Sequence, residues 1–165
     1  MVFVTIGSQP QDFSRLLNEV SKLVDDGSIQ DEVYMQIGLS NFQSNSNSIS
    51  CTSFLSQKEM NMMMKNASYV ITHGGVGSIL LALKYEKKVI AVPRLKKFGE
   101  HMNDHQLDII ERFAEKKLLV GICNISNLKE AVLNIGNFCP SKYVSTHDNI
   151  LNDVNKKLQM LLKQR

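Results

Sequence analysis

Tryptophan is absent, and cysteine and proline occur only three times each in 165 residues. The cysteines, Cys51, Cys123 and Cys139, are scattered and odd in number. That argues against a disulfide framework and for a reducing compartment. No apolar stretch approaches the ~18 residues that a membrane-spanning helix needs. Long runs of one charge are also missing: 19 basic side chains face 16 acidic ones, a net charge of +3. A balance that mild, without interleaved basic and aromatic residues, speaks against a nucleic-acid partner. Met1–Ile6 is apolar but has no basic lead and runs directly into Gly7-Ser8-Gln9-Pro10, so it does not read as a secretory leader. The expectation is a cytoplasmic globular chain. Its composition, 43% hydrophobic and 21% charged, supports one substantial core. Neither a Pro/Gly-rich linker nor a repeat divides it, which predicts a single domain over 1–165.

Strand and helix signals alternate along the chain. Short β-branched or apolar runs stand at Val2–Ile6, Val33–Ile37, Ile49–Leu55, Tyr69–Thr72, Val89–Val92 and Leu118–Ile122. Between them, apolar residues recur at helical spacing: Leu16, Leu17, Val20, Leu23 and Val24; then Ile79, Leu80 and Leu83; then Leu107, Ile110 and Phe113. Ser56-Gln57-Lys58-Glu59 has the form of a capping box ahead of a Met-rich helix, whose Met60, Met62, Met63 and Met64 read as core filler. Asn127 with Glu130 predicts a capped helix that Gly136 and Pro140 end. A last helix, about 148–163, carries Leu151, Val154, Leu158 and Leu161 on one stripe, with Lys156, Lys157, Lys163 and Arg165 around it. Such a stripe packs on its own domain, on a partner, or on an anionic bilayer surface. Near-continuous apolar strands alternating with helices predict a doubly wound, Rossmann-like α/β domain with a parallel sheet of about six strands.

Ligands of such sheets bind beyond the carboxyl ends of the strands, so residues that directly follow strands carry the chemistry. His73-Gly74-Gly75-Val76-Gly77-Ser78 follows the fourth strand and opens a helix. Glycines there let the main chain approach a ligand, and the amides of the helix start favour an anion such as a diphosphate. Two better-known phosphate signatures fail. Leu80 stands where a dinucleotide fingerprint needs its third glycine, and Lys97, about 20 residues on, where it needs an acid. A Gly-Lys-Ser/Thr is missing as well, which excludes a P-loop. The second cluster, Pro93 to Gln106, follows the fifth strand and gathers Arg94, His101, Asp104, His105 and Gln106. These are donors and acceptors suited to a polyhydroxylated sugar. His101 and His105 are four apart, but without a third ligand at recognisable spacing no metal is expected.

Thr72-His73-Gly74-Gly75-Val76-Gly77-Ser78-Ile79 with Val92-Pro93-Arg94, Phe98-Gly99-Glu100-His101 and Asp104-His105-Gln106-Leu107 resembles the donor-binding, C-terminal half-domain of GT-B glycosyltransferases of the family 28 type. Within that group it is similar to the peptidoglycan GlcNAc-transferases and their split relatives. These relatives are the catalytic subunit of the dolichol-pathway UDP-GlcNAc transferase and short bacterial capsule and exopolysaccharide transferase subunits. Thr5-Ile6-Gly7-Ser8-Gln9 extends the likeness to the first turn.

The resemblance implies a UDP-sugar donor, with Gly7 and Ser8 lining its diphosphate opposite the amides of Gly75, Val76, Gly77 and Ser78. His73 and Gly74 would belong to the same donor site. Phe54 and Leu55 would hold the uracil, and His105 and Gln106 the sugar hydroxyls. Arg94 would help the amides stabilise the leaving group, with inversion at the anomeric carbon and without a metal or other cofactor. One departure stands out: relatives carry an acid for the ribose where this chain has Leu81. No general base for the acceptor hydroxyl is visible. The resemblance therefore implies a membrane-anchored partner subunit that supplies the acceptor half and recruits the chain to the inner face of the plasma membrane. It also implies a lipid-linked saccharide acceptor. The competing expectation is a non-catalytic nucleotide-sugar-binding or accessory subunit.

Overall fold

The computed structural model describes residues 1–143. Six strands form one parallel sheet: β1 (Val2–Thr5), β2 (Val33–Gln36), β3 (Ile49–Thr52), β4 (Tyr69–His73), β5 (Lys88–Val92) and β6 (Val120–Gly121). Their order across the sheet is β3-β2-β1-β4-β5-β6. The chain reverses its direction of growth between β1 and β4, and the doubly wound fold leaves its ligand crevice at that point.

Five α-helices cover the two faces among the described residues: α1 (Ser14–Asp25), α2 (Gln57–Asn66), α3 (Val76–Lys84), α4 (His105–Glu115) and α5 (Leu128–Asn134). On one face Leu16, Leu17, Val20 and Leu23 of α1 and Leu128 and Val132 of α5 pack on Val2, Val4, Ile71 and Ile90. On the other, Met64 of α2, Ile79, Ala82 and Leu83 of α3 and Ile110 of α4 pack on Phe3, Val70, Val89 and Ala91. Strand residues of alternate parity thus feed two separate cores, which explains why the strands read as continuous apolar runs rather than alternating ones.

Local signals account for most boundaries. The Ser56 hydroxyl accepts from the Glu59 amide while the Glu59 carboxylate accepts from the Ser56 amide, so the capping box forms as expected. Only Met64 of the four methionines is buried; Met62 is half exposed, so the run is not simply core filler. Three expectations need correction, the first being that the third strand ends at Thr52 and not at Leu55. The last strand is shorter than Leu118–Ile122, because the Leu118 amide closes the end of α4 onto the Phe113 carbonyl. Leu118 and Leu119 are buried in the α4 core. The Asn127 side chain makes no cap on α5; Asn124 instead accepts from the Ser126 amide, one turn earlier. The expected helix at 148–163 lies outside the described residues. No helix among the described residues is long and apolar enough to cross a membrane.

Candidate functional site

Three strand ends meet at the switch point. β1 ends in the turn Gly7–Gln9, β4 runs into His73-Gly74-Gly75, and β5 ends at Pro93-Arg94. Helix α3 starts at the centre of this group. Its N-cap is Gly75, in an extended conformation, with no side-chain cap and no acidic residue in the first turn. The first intrahelical bond runs from the Ile79 amide to the Gly75 carbonyl, which leaves the amides of Val76, Gly77 and Ser78 ahead of it. Uncapped main-chain amides at the positive end of a helix form an anion cradle.

The glycines of this turn have different causes. A Cβ on Gly75 would lie 2.2 Å from His73 Nε2, and one on Gly74 would lie 2.6 Å from the Gln106 Cβ. Both positions are forced to glycine by the protein's own side chains, not by ligand approach. Gly77 alone of the three has open space in front of it: a Cβ there would meet no atom within 4 Å. A Cβ on Gly7, at φ +77°, would lie 2.7 Å from the same imidazole. His73 is therefore a spacer wedged between the first turn and the glycine turn. Burial, and then the charge of Arg94, push its imidazole down to about 4, so it is neutral at physiological pH. A Gly75→Ala variant should lose about 2 kcal/mol to this clash, read by chemical denaturation. Gly77→Ala should lose nothing.

Arg94 and Gln106 sit lower than the resemblance implies. Arg94 is fully buried; its Nη2 donates to the Ile6 carbonyl at 2.9 Å and its Nη1 to the Gln11 and Glu100 carbonyls at 2.7 and 3.2 Å. The Phe13 ring lies 4.8 Å from its guanidinium carbon. The guanidinium is thus committed to the main chain beneath the site. Gln106 is buried as well, and its Oε1 accepts from the Gly74 and Arg94 amides, both at 3.0 Å. Two amide donors on one oxygen fix the side-chain orientation, so Gln106 turns its Nε2 donor outward.

The remaining predicted residues do not all converge on this turn. Ser8 and His105 are exposed, and the His101 and His105 rings meet edge to face with centroids 4.7 Å apart. His101 Nε2 lies 3.1 Å from Gln9 Nε2, joining the loop between β5 and α4 to the first turn. Asp104 Oδ1 accepts from the Lys96 amide at 2.7 Å. Among the described residues no group of three or more His, Cys, Asp or Glu side chains is placed to hold a metal ion. Phe54, half exposed, and Leu55 follow β3 on the far side of β2. Leu81 lines a cavity of about 660 Å³ that opens beside α3, with Gly77, Leu80 and Tyr143 among its walls and Glu86 as its only carboxylate among the described residues.

Three supporting residues receive no role from sequence reasoning, although Glu100 stands in one of the quoted motifs. Gln36 is buried at the end of β2, where its amide donates to the Gly7 and Ser53 carbonyls at 2.9 and 2.8 Å and its Oε1 accepts from the Thr5 hydroxyl. A glutamine closing an otherwise apolar strand is the signal it offers. Arg15 and Glu100 pair through Nε–Oε1 and Nη2–Oε2 contacts of 2.7 and 2.8 Å. Arg15 reads as the polar face of an amphipathic helix, so nothing in the sequence separates it from a solvated residue.

No protein among the curated sequences matches this chain. Solved structures do, at identities that speak to the fold alone. The glycotransferase of kitacinnamycin superposes with a TM-score of 0.62 at 15% identity, over 81% of this chain and 34% of its own length. The glycosyltransferase SnogD from Streptomyces nogalater gives 0.52 at 15% identity, over 82% of this chain and 38% of that one. The chain therefore spans little more than a third of these relatives. ALG13 gives 0.58 at 16% identity and covers 93% of both chains. The model of the glycosyltransferase family 28 C-terminal domain matches residues 1–160, nearly the whole sequence, and the chain belongs to that family.

Proposed function

We propose that this chain is the donor-binding, catalytic subunit of a split hexosyltransferase, taking its sugar from a UDP-sugar. The observation that carries this is the uncapped start of α3, which places three amides, free of acidic neighbours, at the switch point of the sheet. A diphosphate seated there gains the helix dipole and preorganised N–H donors. As the bond to the anomeric carbon breaks, negative charge grows on that diphosphate. Donors already in place stabilise it without reorganisation. Neutral His73 behind the cradle adds no competing charge, and Gln106 Nε2 and His105 stand on the sugar side. Inversion, metal independence, and transfer to a lipid-linked saccharide in capsule or exopolysaccharide assembly follow from the family likeness of the motifs.

A partner chain supplies the acceptor half and the base in this reading. Five of the seven large apolar side chains that stand exposed among the described residues lie in segments that follow the carboxyl ends of strands: Leu39 and Phe54 on loops, Val76 at the first position of α3, Phe98 in a 3-10 turn and Met102 beyond it. Apolar surface concentrated there suits a lasting protein contact more than bulk solvent. In this proposal the partner is membrane-anchored and holds the chain at the inner face of the plasma membrane. Leu81, in place of the ribose-binding acid, favours a second reading, a nucleotide-sugar-binding subunit without catalysis of its own. Transfer assays with and without the partner separate the two.

Titration calorimetry with UDP tests the site directly. The wild-type chain should bind, and Gly77→Asp should weaken binding at least tenfold, because it sets a carboxylate in the open wall of the cradle. Its fold should be unharmed, since an acid in the first turn of a helix is favourable. UDP binding that survives Gly77→Asp would move the diphosphate elsewhere.

A further inference from the structure

We propose that Arg15, Glu100 and Arg94 form a positioning clasp that joins the first turn to the loop between β5 and α4, so that the two walls of the donor site behave as one rigid body. The inference rests on the donor-binding reading for its functional consequence and on side-chain geometry for its existence.

Neither wall is built of α-helix or strand. Residues 7–13 form no regular structure, and the loop from Leu95 to Asp104 contains a single 3-10 turn, Lys96–Phe98. Beside the exposed Gln9–His101 contact, three side chains bridge them. Arg94, from the start of the second wall, reaches across to the Ile6 and Gln11 carbonyls at the two ends of the first. Arg15, from the first turn of α1, reaches back to the Pro93 carbonyl at 2.9 Å and grips the Glu100 carboxylate through two parallel contacts. Glu100 closes the loop upon itself, since its Oε2 also accepts from the Leu95 amide at 2.9 Å and its carbonyl accepts from Arg94. Each wall is therefore tied by an arginine that flanks the other, and Glu100 is common to both ties.

The chemistry suits fixation more than binding. A planar guanidinium in a bidentate pair with a carboxylate sets both distance and angle, which a lysine ammonium does not. Arg94 and Glu100 are buried and Arg15 is mostly so. Burial removes the screening that makes surface ion pairs weak. The Phe13 ring lies against Arg94 and the Phe98 ring against Arg15, at 4.8 Å in each case, with one phenylalanine drawn from each wall. The polar contacts of all three charged groups run to one another and to the main chain. They act through the main chain that carries Gly7 and Ser8 on one side and His101, His105 and Gln106 on the other. A diphosphate held by one wall and a hexose held by the other then meet at a fixed separation, which is the condition for productive alignment.

The test uses the full chain, with Glu100→Gln and Arg15→Lys. Glutamine keeps the shape of Glu100 and removes its charge; lysine keeps the charge of Arg15 and removes its fork. Amide hydrogen exchange is followed for residues 7–11 and 96–104, beside the protected strands β1 and β4. Calorimetry at a temperature where both variants are folded measures UDP, UDP-glucose and UDP-N-acetylglucosamine. Exchange should quicken in both segments together in each variant, with β1 and β4 unchanged. The affinity for the tighter UDP-sugar should fall about tenfold, the worth of one charge-assisted bond, and more than the affinity for UDP. A purely structural role would lower the melting temperature and leave the ratio of UDP-sugar to UDP affinity where it was. Exchange that quickens in one segment only, or an unchanged ratio, overturns the clasp. A wild-type chain that binds none of the three nucleotides sinks the donor-binding reading instead, and the exchange data alone then decide whether the two walls are joined.

Discussion

Arg94→Met is expected to lower the melting temperature by roughly 12 °C, from a loss of about 4 kcal/mol at 2–4 °C per kcal/mol for a chain of this size. Methionine fills much of the volume that the arginine stem occupies, so the cost is electrostatic and not a cavity. Three carbonyls lose their donor, those of Ile6 and Glu100 in buried contacts and that of Gln11 in a part-buried one. Each orphaned acceptor costs on the order of 1–3 kcal/mol. Glu100 keeps Arg15, which limits the damage on the acidic side. Burial pulls the Arg94 guanidinium below its ordinary value while Glu100 and Asp12 pull it back, the balance expected of a cation retained for its partners. Arg94→Lys should recover about half of the loss, because an ammonium cannot serve carbonyls in three directions from one plane. Scanning calorimetry of the three proteins checks this, and a methionine variant within about 3 °C of wild type would show that the carbonyls find other donors.

Stability should also fall as pH drops from about 6.5 to about 4, by up to roughly 3 kcal/mol from one residue. His73 takes up its proton near 6.5 when unfolded but only near 4 when folded. Between those values the unfolded state binds more protons than the native one, so acid favours unfolding throughout the window and the effect saturates below it. The cause is burial first and the Arg94 charge second, with His101 adding to it. Urea denaturation at pH 7.5, 6, 5 and 4.5 measures the slope, and His73→Asn should remove most of it. A flat profile over that range would mean that the imidazole opens to solvent on protonation. Below the window, Asp26, Asp12 and Glu59 contribute in the same direction, since their hydrogen bonds hold them below the usual carboxylate range.

Much of this architecture was legible because the signals were local. The capping box at Ser56, the apolar strand runs and the α1 stripe each report on their own neighbours in sequence, and the sheet follows from their alternation. What the site does with its glycines was not legible. Gly74 and Gly75 look like openings for a ligand, yet the contacts that forbid a side chain there come from Gln106, 32 residues on, and from the turned-in ring of His73. Arg94 has the same history: a cation in a polar loop reads as exposed until the fold brings the carbonyl of Ile6 beneath it. The shortened β6 was missed for a smaller reason, because helix packing and strand pairing reward the same Leu118 and Leu119. Site roles that depend on which long-range partner occupies a side chain are invisible to spacing.

The two flanks of the sheet have a consequence of their own. β6 pairs over only two residues, and β3 offers four, two of them exposed and none bulky enough to make a sticky strip. Unpaired strand edges are templates for accretion, and brevity and polarity are the means by which proteins blunt them. A neighbouring polypeptide would find too few rungs on either flank to extend the ladder. A lasting complex made through the described sheet is then expected to rest on side chains and not on shared backbone hydrogen bonds, so point substitution should disassemble it without unravelling the sheet.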